Sequence, residues 1–298
     1  MVVRLVTICI AALAGYLALR GNRPNASFSE LYQVTDCGGA DMPCQVSDRH
    51  YNALIPIGDG PFPAIVFLHG SNGSGQKTVE NIDLVQPFLN RGYAVIAPTA
   101  LEIEYRNGPG TGWVWDSTRY SRDDFRFVAD VVEDAIQRFS IQPDGILVAG
   151  HSRGGSFAWY LACSEVDPRL KTFAPIGGTP MRRQPGPCAT ASFDFDLLYM
   201  HGYADSVIPF AGTDSSLRAH NYMGAVEAAD GMAYKLGCDT VDLTQGNGFD
   251  QRTYHGCRSV AEKERSLSVI GFQGGHSVPT GWADLILNWF EGLADHGQ

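Results

Sequence analysis

Basic residues are scarce in this chain. Lys and Arg total 22 against 32 Asp and Glu, a formal net charge of −10 over 298 residues. A surface of that sign repels phosphate backbones, so nucleic acid is not an expected partner. The pair Arg182-Arg183 is the one local basic cluster that stands out, and it reads as a solvated loop. No C-x-x-C and no H-x-x-x-H spacing occurs, so the common metal-ligand patterns are missing and no metal is expected. No Gly-Lys-Ser/Thr closes a glycine-rich loop, which argues against a phosphate-binding loop. Internal repeats, low-complexity runs and coiled-coil heptads are also lacking. Hydrophobic residues at 44% and charged residues at 18% place the chain among ordinary globular proteins.

Long apolar runs are missing too, and the nearest approach is at the start. Arg4 precedes an apolar stretch from Leu5 to Leu19, and Ala12-Leu13-Ala14 has the small-x-small form of a cleavage site. A membrane span needs about 20 apolar residues. Residues 1–19 therefore read as a secretory signal peptide, with an uncleaved N-terminal anchor as the alternative. No stable membrane partner is expected unless that segment stays attached. Removing Cys9 with the signal leaves Cys37, Cys44, Cys163, Cys188, Cys238 and Cys257. An even number in an exported chain suits disulfides, and pairing of sequence neighbours is the simplest of many connectivities. The expected location is extracellular or periplasmic. Residues 20–36 read as a loose polar lead-in and 37–298 as a single catalytic domain.

Within that domain short apolar runs alternate with amphipathic ones. The runs are Ala64–Leu68, Tyr93–Ala97, Gly145–Ala149, Phe173–Ile176, Leu197–Met200 and Leu267–Ile270. Uninterrupted runs of this length fit strands buried on both faces of a parallel sheet. Helical spacing covers Asp123 to Phe139, with Ser121 as the expected N-cap, and then Gly154 to Cys163 and Thr280 to Leu293. The fold class is thus α/β: a mostly parallel sheet with helices on both faces. Ligands in such sheets sit at the carboxyl ends of the strands, so chemistry should follow each apolar run.

It does. Gly145–Ala149 leads into Gly150-His151-Ser152-Arg153-Gly154-Gly155, a G-x-S-x-G sequence between an expected strand and an expected helix. That context nominates Ser152 as a nucleophile. A serine hydroxyl needs a base, and the base needs an orienting carboxylate. Asp205 follows the Leu197–Met200 run and His276 follows Leu267–Ile270, in the chain order Ser, acid, base. His201, His220 and His255 fit the base position less well, and His201 is expected to shape the Asp205 loop. His151 is too close to Ser152 along the chain and is expected to line the substrate pocket. An oxyanion needs two donors: the backbone N–H of Arg153, directly after the serine, and that of Ser71, in the His69-Gly70-Ser71 loop after the first strong strand. Trp113 and Trp115, in a glycine-rich loop from Gly108, either stack an aromatic acyl group or plug the core, and substrate binding is the functional reading.

These motifs, in this order, resemble the secreted esterases of the polyhydroxybutyrate depolymerase-like and feruloyl esterase-like group of α/β-hydrolases. The matching stretches are Leu68-His69-Gly70, Gly150 to Gly155, His201-Gly202-x-x-Asp205 with Ile208-Pro209, and Gly274-Gly275-His276 with Pro279. Trp113 through Asp124 and Cys238 to Cys257 are similar as well. The resemblance implies cleavage of small or oligomeric carboxylic esters (hydroxyalkanoate, feruloyl or acetyl) through an acyl-enzyme, with no cofactor. Two departures stand out. Val278 replaces a tryptophan often found two residues after the histidine, and Arg153 replaces a small or amide residue. A serine peptidase or an acyltransferase on the same scaffold is the alternative, and a non-catalytic binding protein is the third reading.

Overall fold

The computed structural model describes residues 27–116, 120–182, 194–213, 221–246, 248–258 and 263–296. The expected signal segment, Cys188, Arg183 and His220 lie outside the described residues. Along the chain the elements are a 3-10 turn at Phe28–Glu30, then β1 (Tyr32–Gln33), β2 (Cys44–Val46), β3 (Arg49–Pro56) and β4 (Phe62–Leu68). Next come α1 (Gly75–Glu80), α2 (Ile82–Asn90), β5 (Ala94–Pro98) and a hairpin of β6 (Glu102–Tyr105) and β7 (Gly108–Thr111). Then α3 (Asp124–Phe139), β8 (Ile141–His151), α4 (Arg153–Ala162), β9 (Thr172–Ile176) and β10 (Asp196–Gly202) follow. The chain continues with α5 (Ala225–Lys235), β11 (Thr240–Gly246), β12 (Phe249–His255), β13 (Leu267–Phe272) and α6 (Trp282–His296).

The main sheet has the order β1-β3-β5-β4-β8-β9-β10-β13-β12-β11, with β2 on β3. From β5 to β13 neighbouring strands run parallel. Each of these is one of the apolar runs, because a strand covered on both faces has no solvent side to mark with polar residues. Alternation still shows in where the side chains go. Ala64, Val66 and Leu68 of β4 join a core with Val128 and Val131 of α3 and Phe157 of α4. Ile65 and Phe67 join the opposite core, with Phe88 of α2 and Ile286 of α6. Helices therefore cover both faces, as expected.

Several details differ from the sequence reading. The N-cap of α3 is Asp123, whose side chain accepts from the Arg126 N–H, and not Ser121. The described part of the lead-in is docked rather than loose: β1 pairs with β3, and Leu31 is buried. Gly108–Thr111 is a strand of the β6–β7 hairpin rather than a loop. The region between Asp205 and His276 supplies α5 on one face and the antiparallel β11–β12 pair, which widens the sheet beyond β13.

Disulfides join Cys37 to Cys44 and Cys238 to Cys257, two of the expected pairs. Cys163 is disulfide-bonded as well. The Cys238–Cys257 bridge ties off the β11–β12 pair at its open end, across 19 residues of sequence. Replacing both of these cysteines by alanine is expected to lower the unfolding free energy by about 3 kcal/mol, chiefly by freeing the unfolded chain. Urea denaturation under non-reducing conditions reads this, and an unchanged midpoint contradicts it.

Candidate active site

β8 ends at His151 and α4 begins at Arg153, which leaves Ser152 alone in the turn with φ 59° and ψ −121°. A non-glycine residue there is strained, and the surroundings must hold it. They do so by close packing. A side chain at Gly154 would put its Cβ 2.0 Å from the Leu68 carbonyl oxygen, and one at Gly150 would come within 2.6 Å of Gly154. The Ser152 N–H donates to Ile176 O at 3.0 Å, and the Ser156 N–H donates back to Ser152 O at 2.9 Å.

The loops after β8, β10 and β13 bring Ser152, Asp205 and His276 together. Ser152 Oγ lies 2.8 Å from His276 Nε2, and His276 Nδ1 lies 2.6 Å from Asp205 Oδ2. A carboxylate can only accept, so Nδ1 carries the proton and Nε2 is free to accept from the serine. Asp205 Oδ1 accepts from the Val207 and Ile208 N–H groups at 2.8 and 2.9 Å. Burial pushes the Asp205 carboxyl upward, but its bonds from His276, Ile208 and Val207 outweigh that and hold it below the ordinary carboxylate value.

A second chain backs the carboxylate. His201 is fully buried. Its Nε2 donates to Ile208 O at 2.7 Å and lies 3.2 Å from Asp205 Oδ2. Its Nδ1 therefore accepts, and the donor is the Tyr199 hydroxyl. Burial keeps His201 below its ordinary pKa and so neutral. Sequence reasoning gave His201 a loop-shaping role and overlooked Tyr199. The signal was available: residues two apart on a strand share a face.

On the other side of the cleft, His69 fixes the loop that holds Ser71. The Ala100 N–H donates to His69 Nε2 at 3.0 Å, so His69 Nδ1 carries the proton and donates to Gly70 O at 2.7 Å. The β6–β7 hairpin braces the same loop, with the Asn72 N–H donating to Thr111 O and Thr111 Oγ1 donating to Gly73 O. No protein acceptor among the described residues takes the Ser71 N–H. Arg153 is the first residue of α4, so its N–H has no acceptor within the helix. Added to Gly70, a Cβ would sit 3.3 Å from Ser152 Cβ, which puts this loop directly against the serine.

Trp113 takes the core-plugging alternative. Its indole is fully buried, stacks on Phe157 at 5.2 Å and donates from Nε1 to His69 O at 2.9 Å. It supports the loop from beneath. Trp115 is half-buried, stacked on Tyr160 and lying 4.7 Å from the Arg153 guanidinium carbon. His151 lies against His276, with ring centroids 4.8 Å apart, and lines a cavity of about 810 Å³ together with Gly70, Lys77, Val278 and Trp282. Burial, with His276 adding to it, holds His151 down to about 4, so it puts no positive charge beside His276 at neutral pH. Among the described residues no group of three or more His, Cys, Asp or Glu side chains is arranged to hold a metal ion.

The model of the alpha/beta hydrolase family matches residues 65–286. A curated relative, the probable feruloyl esterase C of Aspergillus niger, is 25% identical over 245 residues, covering 78% of this chain and 77% of its own. The solved acetyl xylan esterase from Aspergillus awamori superposes with a TM-score of 0.59 at 17% identity, covering 87% of this chain and 98% of that one. A Bacillus cereus carboxylesterase gives 0.52 at 12%, covering 83% and 95%. At these identities the solved structures speak for the fold.

Two measurements test this geometry. Tyr199→Phe leaves His201 Nδ1 buried without its donor and is expected to lower the unfolding free energy by about 1–3 kcal/mol in urea titrations. No change contradicts the chain behind Asp205. His69 is held down to about 4, chiefly by burial, from an ordinary value of 6.5. Between those values the unfolded chain takes up a proton that the folded one refuses, so stability falls as the pH drops from 6.5 toward 4. His69→Gln is expected to reduce that slope by about one proton; an unaltered slope shows that His69 is not the group refusing it.

Proposed function

This chain belongs to the alpha/beta hydrolase family, and on that premise we propose that it is an exported serine esterase that hydrolyses small or oligomeric carboxylic esters. The observation that carries the reading is the hydrogen-bonded series Ser152–His276–Asp205, with the serine in a strained turn beside two backbone donors. Relatives described as feruloyl esterase C support an ester as the substrate, and feruloyl, acetyl and hydroxyalkanoate esters are the candidate classes.

Ser152 Oγ attacks the ester carbonyl carbon while its proton passes to His276 Nε2. The carbonyl oxygen becomes an oxyanion and takes hydrogen bonds from the Ser71 and Arg153 N–H groups. When the intermediate collapses, the carbonyl re-forms and the C–O bond to the alcohol breaks. His276 hands its proton to the leaving alkoxide, and the acyl group stays on Ser152. Water then attacks the acyl-enzyme, giving its proton to His276, and the acid leaves as Ser152 takes that proton back. Asp205 keeps the imidazole in the tautomer with Nδ1 protonated and stabilises it when Nε2 is also protonated. His151, His69 and His201, all neutral near pH 7, do not oppose that transient positive charge.

Disulfides at Cys37–Cys44 and Cys238–Cys257 support export, since such bonds persist in oxidising compartments. The apolar segment at residues 1–19 is the proposed export signal.

The test is turnover of 4-nitrophenyl acetate and butyrate by the wild type and Ser152→Ala. The variant is expected to lose on the order of 10^4-fold or more in kcat, since a triad acts as a unit. Equal rates for the two proteins overturn the reading.

A further inference from the structure

The residue after Ser152 carries a charge that no carboxylate among the described residues meets. Other arginines with well-covered guanidinium groups meet carboxylates: Arg49 and Arg122 meet Asp124, Arg169 meets Asp167, and Arg265 meets Asp194 and Asp196. Arg153 does not. Its Nε donates to Trp113 O at 2.7 Å, while its two terminal nitrogens have no hydrogen-bond or carboxylate partner among the described residues. The titratable groups felt by its guanidinium are the phenols of Tyr105, Tyr222 and Tyr120 and the like-charged Arg122. The residue is only half-buried and neither terminal nitrogen is sealed from solvent, so both stay open to a ligand that supplies the counter-charge.

The neighbouring rings also hold the group still. The guanidinium carbon lies 4.7 Å from the Trp115 ring centroid and 5.7 Å from that of Tyr105. Trp115 is stacked on Tyr160 with planes 5° apart, and the Tyr105 hydroxyl is tied to Thr111 O at 2.8 Å. Arg153 directly follows Ser152, so the guanidinium is carried by the residue next to the proposed nucleophile. With Nε engaged, the terminal nitrogens present a planar pair of donors, the shape that matches a carboxylate. A chain of net charge −10 repels anions at long range, so a cation fixed here acts only on a group already in the cleft.

We propose that Arg153, on its platform of Trp115 and Tyr105, binds a free carboxylate carried by the ester substrate, which makes half-esters of dicarboxylic acids and similar carboxylate-bearing esters the preferred class. This rests on Ser152 being the nucleophile. The test compares kcat/KM for 4-nitrophenyl monosuccinate and 4-nitrophenyl butyrate, which share a leaving group and an acyl chain length. The ratio of the anionic to the neutral ester is expected to fall at least tenfold in Arg153→Met and less in Arg153→Lys, which keeps the charge. A smaller fall in Arg153→Met overturns the assignment. In the unaltered protein, monomethyl succinate is expected to compete against 4-nitrophenyl butyrate at least tenfold more tightly than methyl butyrate; equal competition overturns the assignment without any variant. If the wild type hydrolyses neither ester, the esterase reading falls and this one with it. If it hydrolyses the butyrate while the ratio holds, only the role of Arg153 fails.

Discussion

The site depends on a gap between β8 and α4 too narrow for any side chain. Gly150 and Gly154 let the end of the strand and the start of the helix approach the end of β4 at backbone distance. That approach holds Ser152 in its turn with φ 59° and ψ −121°. The same closeness sets the His69–Ser71 loop against the serine. A methyl group at Gly154 would meet the Leu68 carbonyl at 2.0 Å and drive Ser152 and the His69–Ser71 loop apart together. The strain at Ser152 and the placing of the Ser71 donor are thus one constraint seen from two sides.

Around that turn the electrostatics divide cleanly. Asp205 stays charged because backbone and imidazole N–H groups overcome its burial. His69, His151 and His201 stay neutral because burial gives their charged forms nothing in return. Each neutral ring then works as a fixed hydrogen-bonding part or a packing wall. Arg153 is the exception: a cation in the same neighbourhood, stacked on an aromatic ring and lacking a described carboxylate partner.

The parallel strands and the positions of Ser152, Asp205 and His276 were legible because each leaves a local mark. A doubly covered strand is a continuous apolar run, and the residues after it are small, polar or ionisable. Ser152 could be picked from its G-x-S-x-G context, and Asp205 and His276 from their places after strands and their order, and the structure brings the three within hydrogen-bonding distance. What escaped was carried by contacts distant in sequence. β3 begins Arg49-His50-Tyr51-Asn52, a polar reading that becomes intelligible only once Arg49 meets Asp124 and Tyr51 meets Asp134. Trp113 stood open between a substrate platform and a core plug, because its partners, His69 and Phe157, are 44 residues away in each direction. The β11–β12 pair was legible and overlooked: Val241 and Leu243 alternate with polar residues, and Asn247-Gly248 is a favoured two-residue hairpin dipeptide. Ser121 gave way to Asp123 as the α3 cap, a slip of two residues of the kind that helix ends commonly produce.

The central claim is that Ser152, activated by His276, forms a covalent bond with the substrate. A fluorophosphonate reports this without any assumption about the natural ester, because it phosphonylates an activated serine and stays attached. Peptide mass spectrometry of the labelled protein is predicted to find the adduct on Ser152, and on no residue of the same peptide when Ser152 is alanine. Labelling at another serine, or none under conditions where an ordinary serine esterase is fully labelled, would contradict the account.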